Sequence, residues 1–386
     1  MVIGTLIILL LIMVLFGIWE VYQHHRSISN IPIRIHINGA RGKSSVTRLI
    51  SAGLRAGGFR TIGKTTGSAP RVIDIDGKDR IIHRLRSASI GEQIKSIRSF
   101  SKKKIDALVI ECMAVLPQYQ WIAEHKMVKS TISVITNVRP DHIDEMGPTM
   151  EDIANSLGNT IPFNGTLITA ERDMLHTLSK VAESRDTDVQ IASPEIVTEE
   201  FMYKFPYVEH RENVALALKV CRLLKIDDKT ALKGMLNAQP DPGALFIQEL
   251  KFTGSENYFV NAFAANDPQS THTIWESVSK RLPNYPACVF LNTRDDRRSR
   301  TEQLLEMTFQ KIKPSKIIIR GDNIPDINNY KNGFDFDLSI FPNSADTEQI
   351  ISDFESMNNH IIFGIGNMVG WGEQLVKELR EYKNNG

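Results

Sequence analysis

The sequence predicts an α/β protein in which a hydrophobic helix precedes two domains, each built on a parallel β-sheet. Strand-like apolar runs alternate along the chain with segments of helical periodicity, which is the pattern of strands connected by helices. A glycine-rich turn joins the first strand-like run to the first helical segment. The 386 residues suffice for two or three domains that each bury a core.

The composition excludes several classes of protein. The 46 Lys and Arg residues nearly balance the 45 Asp and Glu residues, so there is no overall basic charge of the kind that marks a nucleic-acid-binding domain. Three cysteines lie far apart without a Cys-x-x-Cys pair, which argues against a disulfide framework or a structural zinc site and suits a reducing compartment.

The N-terminal segment differs from this soluble composition. Residues 1–19 carry no charged side chain and, at about 1.5 Å per residue, nearly cross a hydrocarbon core of about 30 Å. A cleaved signal peptide would have basic residues before the apolar run and a small-residue cleavage site after it, and this segment has neither. Arg26 and Arg34 follow the run, so the positive-inside tendency places the rest of the chain in the cytoplasm. We predict an uncleaved single-pass cell-membrane anchor over residues 1–25, although a helix that docks on a membrane partner is compatible with the same residues.

The first α/β domain is predicted over residues 31–240. Its strands are expected at Ile33–Asn38, Asp106–Glu111, Thr131–Asn137 and, with a weaker pattern, Gly165–Ala170, and its helices at Lys43–Ala56 and Asn213–Leu224.

A smaller α/β domain, similar to a Rossmann fold, is predicted over residues 244–386. The loop-like stretch at 237–244 contains two prolines and a glycine and marks the boundary. Strand-like and helical segments then alternate to the end of the chain. The segment GIGNMVGWG at 364–372 resembles a dinucleotide fingerprint, but no strand follows to carry a ribose-binding acid, so we favour a strand-to-helix turn.

The strongest chemical signal is the turn between the first strand and the first helix. Glycines there let backbone N–H groups face a polyphosphate, and the helix N-terminus adds positive potential. Lys43 is expected to reach the β- and γ-phosphates, and the Ser44 hydroxyl to bind Mg²⁺. A chance glycine turn is the alternative, and the flanking strand and helix weigh against it. The predicted ATP-binding residues here are Gly39, Ala40, Arg41, Gly42, Lys43, Ser44 and Ser45.

Two further segments are compatible with a metal–nucleotide site. Glu111 ends a predicted strand, where a carboxylate can hold Mg²⁺ beside the phosphates; taken alone, a solvated strand-end acid is the better interpretation. The turn after Thr131–Asn137 gathers Asp141, His142, Asp144 and Glu145. Such an acidic turn is usually solvated, but it leaves the same predicted sheet edge as Lys43 and Glu111.

These motifs together resemble the Mur ligase superfamily of ATP-dependent amide ligases. The segments NGARGKSS, VIEC and ITNVRPDHIDEMG, in this order and spacing, carry the resemblance, and HRENVALAL, FAANDPQST and LNTRDDRRSR extend it loosely to the second domain. An N-terminal hydrophobic segment joined directly to such a domain, with KTTGSAPR following the first unit, resembles the ligase subunits of poly-γ-glutamate synthase in particular. The resemblance implies a Mur-ligase-like ATPase domain followed by a ligase C-terminal domain.

The resemblance also implies roles for individual residues. Lys43 and Ser44 would bind the triphosphate and metal, Glu111 one Mg²⁺ and His142 a second metal, which makes Lys43, Glu111 and His142 the expected catalytic residues. Further nucleotide contacts are expected from Asn137, Asn213, Asp267 and Arg297.

The sequence departs from the superfamily pattern in three places. Many Mur ligases use a carbamoylated lysine about one helix after the histidine motif, and the matching stretch DIANSLGNT has no lysine. The adenine motif His-Asn-x-x-Asn survives only partly at 210–213. Finally, the phosphate loop begins near residue 39, which leaves no room for the domain that grips a UDP carrier. A UDP-linked acceptor is therefore not expected.

The chemistry implied is amide ligation through an acyl phosphate, with glutamate and a poly-γ-glutamate chain as substrates and ADP and phosphate as products. Such a polyanion needs cationic groups, and we predict that Arg71, Arg84 and Arg86 guide it. Solvated basic residues on a mobile loop explain the same pattern equally well.

Two other functions stay open. One is another amino-acid ligase of the superfamily, such as a folylpolyglutamate-type enzyme, and the other is a P-loop ATPase that energises a membrane complex without forming a bond.

The resemblance and the anchor also imply small integral-membrane subunits as partners. A homo-oligomer is compatible with the composition.

Overall fold

The computed structural model describes residues 2–66, 70–83, 89–202, 204–205, 207, 209–240, 245–263, 265, 268–294, 298–330, 333 and 335–382. The chain divides into two compact units. The first comprises Met1–Phe205 and Glu209–Gln239, and the second Pro206–Val208 and Pro240–Gly386.

An eight-stranded sheet forms the centre of the first unit. Its strands are β1 (Ile33–Asn38), β2 (Thr61–Lys64), β3 (Arg71–Ile73), β4 (Asp79–Ile81), β5 (Ala107–Glu111), β6 (Ile132–Ile135), β7 (Thr166–Thr169) and β8 (Asp188–Ile191). They lie in the order β4-β3-β2-β5-β1-β6-β7-β8. Five strand pairs are parallel, as the sequence predicts, whereas β2–β3 and β3–β4 are antiparallel. The sheet is therefore mixed at this edge, because a short hairpin follows β2.

Helices cover this sheet. They are α1 (Val2–Ser29), α2 (Lys43–Ala56), α3 (Glu92–Ser101), α4 (Pro117–Ile122), α5 (Ile143–Met146), α6 (Met150–Gly158), α7 (Leu175–Glu183), α8 (Glu199–Met202), α9 (Arg211–Leu223) and α10 (Asp228–Leu236). A π-helical turn at Ala123–Val128 continues α4. In the register of the central strands Ile37 pairs with both Glu111 and Val134, so the carboxyl ends of β5, β1 and β6 meet at one edge.

Helix α1 is continuous from the apolar N-terminal segment into the first unit. Its first eighteen residues are exposed, whereas His24 and Ile28 are buried near its end. The Nε2 atom of His24 donates to the carbonyl of Met127 at 2.8 Å, and Nη2 of Arg98 donates to the carbonyl of Glu20 at 2.7 Å. Ile28 also joins a core cluster with residues of α3. The last turns of α1 are thus part of the folded unit.

A buried ion pair links β1 to the π-helical turn. The Nδ1 atom of His36 lies 2.7 Å from Oε2 of Glu124, and both side chains are almost fully buried. Burial opposes the charged form of His36, but hydrogen bonds with Cys112 and Glu124 outweigh it and raise the pKa of His36 to about 10. Ser130 donates to the other carboxylate oxygen of Glu124. The charges of this pair are therefore compensated within the core.

The second unit contains a six-stranded sheet. Its strands are β9 (Phe246–Phe252), β10 (Ser255–Asn261), β11 (Ala287–Asn292), β12 (Lys316–Arg320), β13 (Asp337–Phe341) and β14 (Ile361–Gly366), and its helices are α11 (Pro268–Arg281), α12 (Arg298–Met307), α13 (Thr347–Glu355) and α14 (Trp371–Leu379). The order is β13-β12-β11-β14-β10-β9, and only β9 and β10 pair antiparallel among the described pairs. The segment at 364–372 runs from β14 through a turn into α14, as the sequence predicts.

Candidate active site

The turn between β1 and α2 passes close to the end of β6 and to Asn213 of α9, and two glycines make this possible. Gly39 has φ +131°, and a Cβ atom there would lie 2.0 Å from Oγ1 of Thr136. Gly42 has φ +82°, and its Cβ would lie 2.7 Å from Oδ1 of Asn213. Neither position accepts a side chain without moving its neighbours or straining the backbone.

Hydrogen bonds then fix the turn to the end of β6. The N–H group of Ala40 donates to the carbonyl of Asn137 at 3.1 Å, and that of Arg41 donates to Oδ1 of Asn137 at 3.0 Å. The hydroxyl of Thr136 donates to the carbonyl of Arg41 at 2.6 Å. Asn137, predicted as a nucleotide contact, is thus placed at the loop and positions its backbone.

Lys43 begins α2 and folds back over the turn. Its Nζ atom donates to the carbonyls of Gly39 and Ala40 at 2.6 and 3.2 Å. The ammonium group therefore lies at the N-terminus of α2, where the helix already adds positive potential. This combination fits a polyphosphate.

Ser44 and Glu111 meet beside Lys43. The hydroxyl of Ser44 donates to Oε2 of Glu111 at 2.9 Å, and the N–H group of Thr66 donates to the same atom at 2.8 Å. Glu111 is only 3% exposed. A hydroxyl and a carboxylate are the oxygen ligands that a hard divalent cation prefers, so this donor set fits a Mg²⁺ or Mn²⁺ ion. Sequence reasoning missed Thr66, which follows the unpredicted strand β2.

His142 lies in an exposed turn, unlike the buried Glu111. It has φ +47°, its side chain is 50% exposed, and Nδ1 lies 3.8 Å from a carboxylate oxygen of Glu145. Asp141, in the same turn, lies 3.8 Å from the Arg41 guanidinium. Within the described residues, no three His, Cys, Asp or Glu side chains converge as a metal site. The second-metal role of His142 stays a prediction.

A cavity of about 840 Å³ opens beside the turn. Its lining combines predicted residues with others that sequence reasoning missed; they are Arg41, Gly42, Thr136, Asn137, Arg139, Ala170, Glu171, Arg172, Asp173, Pro194, Glu195, His210, Arg211, Glu212 and Asn213. Of these, Glu171 is buried and accepts from the N–H groups of Val138 and Asp173 at 2.8 and 2.9 Å. The sequence does contain a signal for Glu171, because this residue directly follows the predicted strand at 165–170.

Asn213 lies between the cavity and a half-buried acid. Its Nδ2 atom donates to Oε1 of Glu209 at 2.7 Å. Burial raises the pKa of Glu209, and hydrogen bonds that include those of Asn213 and Ser45 oppose the shift. Asn213 and Ser45, both predicted at the nucleotide, are therefore brought together with Gly42 at the start of α2.

Arg71 is the one described residue among the other predicted site residues. Arg71 lies in β3, is largely buried and has its Nε atom 4.0 Å from Oδ2 of Asp79, so it is not a solvated loop residue. Asp267, Arg297, Arg84 and Arg86 lie outside the described residues.

Comparison with known proteins now identifies the class. Residues 37–239 match the Mur ligase middle domain, and residues 247–382 match the poly-gamma-glutamate synthase CapB C-terminal domain. The chain is 40% identical over 375 residues to capsule biosynthesis protein CapB of Bacillus anthracis, covering 96% of this chain and 81% of that one. It is 38% identical over 384 residues to PGA synthase CapB of Bacillus subtilis (strain 168), covering 98% of both.

Solved structures show the same fold. Folylpolyglutamate synthase from Thermotoga maritima superposes with a TM-score of 0.64 at 17% identity, covering 95% of this chain and 93% of that one. A bifunctional folylpolyglutamate synthase/dihydrofolate synthase with Mn, AMPPNP and L-glutamate bound gives 0.58 at 12% identity, covering 94% and 93%.

A parallel sheet with a phosphate loop, a lysine and a strand-end carboxylate defines a P-loop nucleotide-binding protein. The chain belongs to the Mur ligase superfamily and, within it, to the CapB family. The resemblance and the fold class predicted from the sequence are confirmed.

The Glu111→Gln variant tests the cation site. The amide keeps the shape and can accept from Ser44 and Thr66, but it lacks the negative charge that holds a cation. We expect metal-dependent ATP turnover to fall by roughly 100-fold while metal-free ADP binding is kept. Asp228→Asn, which removes a surface charge paired with Arg222 at 2.7 Å, is the matched control. Normal metal-dependent turnover in Glu111→Gln would show that this carboxylate does not hold the cation.

Proposed function

We propose that the chain polymerises glutamate into poly-γ-glutamate by ATP-dependent amide ligation, releasing ADP and phosphate. The observation that carries the proposal is the phosphate loop beside Glu111 in a chain that matches PGA synthase CapB over 98% of its length. Glutamate as the substrate is supported by the family name and by the L-glutamate bound in a structure of the same fold.

The chain's own residues account for phosphoryl transfer by positioning and electrostatics. The N-terminus of α2 and the Lys43 ammonium supply positive potential for the triphosphate, which offsets charge as a glutamate carboxylate attacks the γ-phosphorus. Ser44 and Glu111 would hold a divalent cation, which we propose to be Mg²⁺, and it would supply further positive charge at the triphosphate. An amine then displaces phosphate from the acyl phosphate and forms the amide bond.

Glutamate dependence distinguishes this function from its alternatives. In membranes that carry the chain with its membrane partners, we expect glutamate to stimulate ADP release and γ-linked polymer to accumulate, and Lys43→Ala to abolish both because the triphosphate loses its cation. The readouts are released ADP and polymer size, with Arg281→Gln, an exposed arginine of α11, as the control variant. ATP hydrolysis that is indifferent to glutamate would instead support an energising ATPase.

We further propose that α1 is a single-pass anchor that keeps both catalytic units in the cytoplasm beside small integral-membrane subunits. Among the described helices, only α1 is long and apolar enough to cross a membrane. A signal sequence passes the same test, but the packing of His24 and Ile28 into the first unit supports a helix that stays attached. With the anchor at 1–25, we assign 31–240 to ATP binding and 244–386 to the ligase C-terminal domain.

N-terminal sequencing of the membrane-purified protein tests the anchor. We expect the sequence to begin at residue 1 or 2, because the apolar segment lacks a small-residue cleavage site and α1 continues from it into the first unit. A variant that lacks residues 2–19 should move to the soluble fraction and still bind ADP, since these residues are exposed. A mature N-terminus beyond Trp19 would contradict the proposal.

A further inference from the structure

A second cavity, of about 470 Å³, lies on the first unit away from the 840 Å³ cavity beside the β1–α2 turn, which we call the nucleotide cavity. It is bordered by the second half of α2, the β3–β4 hairpin and the end of α10, and it shares no lining residue with the nucleotide cavity. The residues that matter here are Arg48, Arg55, Asp76, Lys78 and Asp79. Three cations and two carboxylates give this lining an excess of positive charge.

Four of these charges are already paired, Arg48 with Asp79 and Lys78 with Asp76, whose Oδ2 atom lies 3.4 Å from Nζ of Lys78. Nη1 and Nη2 of Arg48 donate to the two carboxylate oxygens of Asp79 at 3.0 and 2.8 Å, and Nη1 also lies 3.3 Å from the carbonyl of Gln239. Arg48 and Asp79 therefore form a bidentate pair that shapes the wall of the cavity.

Arg55 is different. Its side chain is half-buried, and its Nη1 atom is buried without a hydrogen-bond partner in the part of the chain that the structure describes. The guanidinium lies against the hairpin tip, 3.6–3.8 Å from the Cβ position of Gly77. Burial lowers the pKa of Arg55, and the charges of Asp79 and Asp76 oppose this shift. A guanidinium that has lost water without full compensation attracts an anion into the adjoining space.

We propose that this cavity binds the α-carboxylate of a γ-glutamyl unit in the growing polymer. Arg55 provides the main cation for the carboxylate. Lys78 and Asp76, an exposed ion pair at the rim, can add a second cation for the carboxylate and an acceptor for the amide N–H of the same unit. The net positive charge suits one carboxylate better than a phosphate, which needs more cations. This inference rests on the proposed function, because only that function supplies such a polymer.

The distance between the phosphate loop and Arg55 along α2 sets a minimum length for a ligand that contacts both. Ser44 at the start of α2 and Arg55 near its end are separated by about 16 Å along the helix axis. Free glutamate cannot occupy both places, whereas a chain of several γ-glutamyl units can. The cavity would therefore hold the acceptor chain while its end reacts at the phosphate loop, and it would favour extension of existing chains over new starts.

The test measures the affinity of the full-length protein, in detergent micelles, for a fluorescein-labelled γ-linked decaglutamate. The variants are Arg55→Gln, Arg55→Lys and Lys78→Glu, with Arg281→Gln as the control that changes the net charge by the same amount as Arg55→Gln. We expect Arg55→Gln and Lys78→Glu each to bind the oligomer about ten-fold more weakly, because each loses one charged hydrogen bond. We expect Arg55→Lys to keep most of the affinity and ADP binding to be unchanged throughout. Because the Lys78 side chain is 78% exposed, its variant should fold normally.

Unchanged oligomer affinity in both Arg55→Gln and Lys78→Glu would overturn the inference, and so would a wild-type protein that does not bind the oligomer. Equal loss in the Arg281→Gln control would also overturn it, because binding would then depend only on overall charge. Glutamate-dependent ADP release by the wild type, measured in parallel, shows whether the proposed function stands when the inference fails. Absence of that ADP release would contradict both the proposed function and this inference.

Discussion

The close approach of the β1–α2 turn to the end of β6 is the constraint on which the site depends. Gly39 lies against Thr136 because it has no side chain, and this contact lets Asn137 bind the backbone of the turn from both its main chain and its side chain. With the turn fixed, α2 begins at Lys43, and Ser44 comes within hydrogen-bond distance of Glu111. One steric requirement thus places the loop, the lysine and the carboxylate together.

The parts of this arrangement that are local in sequence were predictable. The strand at Ile33–Asn38 and the helix at Lys43–Ala56 occur with the predicted bounds, because a buried apolar run, a glycine turn and an apolar helical periodicity are all local signals. Lys43 and Glu111 were placed at one sheet edge by the rule that parallel strands end together.

The parts that depend on distant contacts were not predictable. Strand β2 ends in Lys64, a fully buried lysine whose charge is compensated by Glu92 at 2.8 Å. The residues of β2 alone do not predict this ion pair. The hairpin that follows was missed for the same reason, since its short strands are half polar. The pairing of β7 with β6 is also not given by a local pattern, and it brings Glu171, which directly follows the predicted strand at 165–170, to the nucleotide cavity.

The central claim is that a glutamate carboxylate attacks ATP to form an acyl phosphate. Glutamate labelled with ¹⁸O in its γ-carboxylate tests this most directly, with the released phosphate analysed by mass spectrometry. The account predicts that label passes into phosphate, because the attacking oxygen stays on phosphorus when the amine displaces it. Phosphate that carries only oxygen from water or ATP would contradict the account.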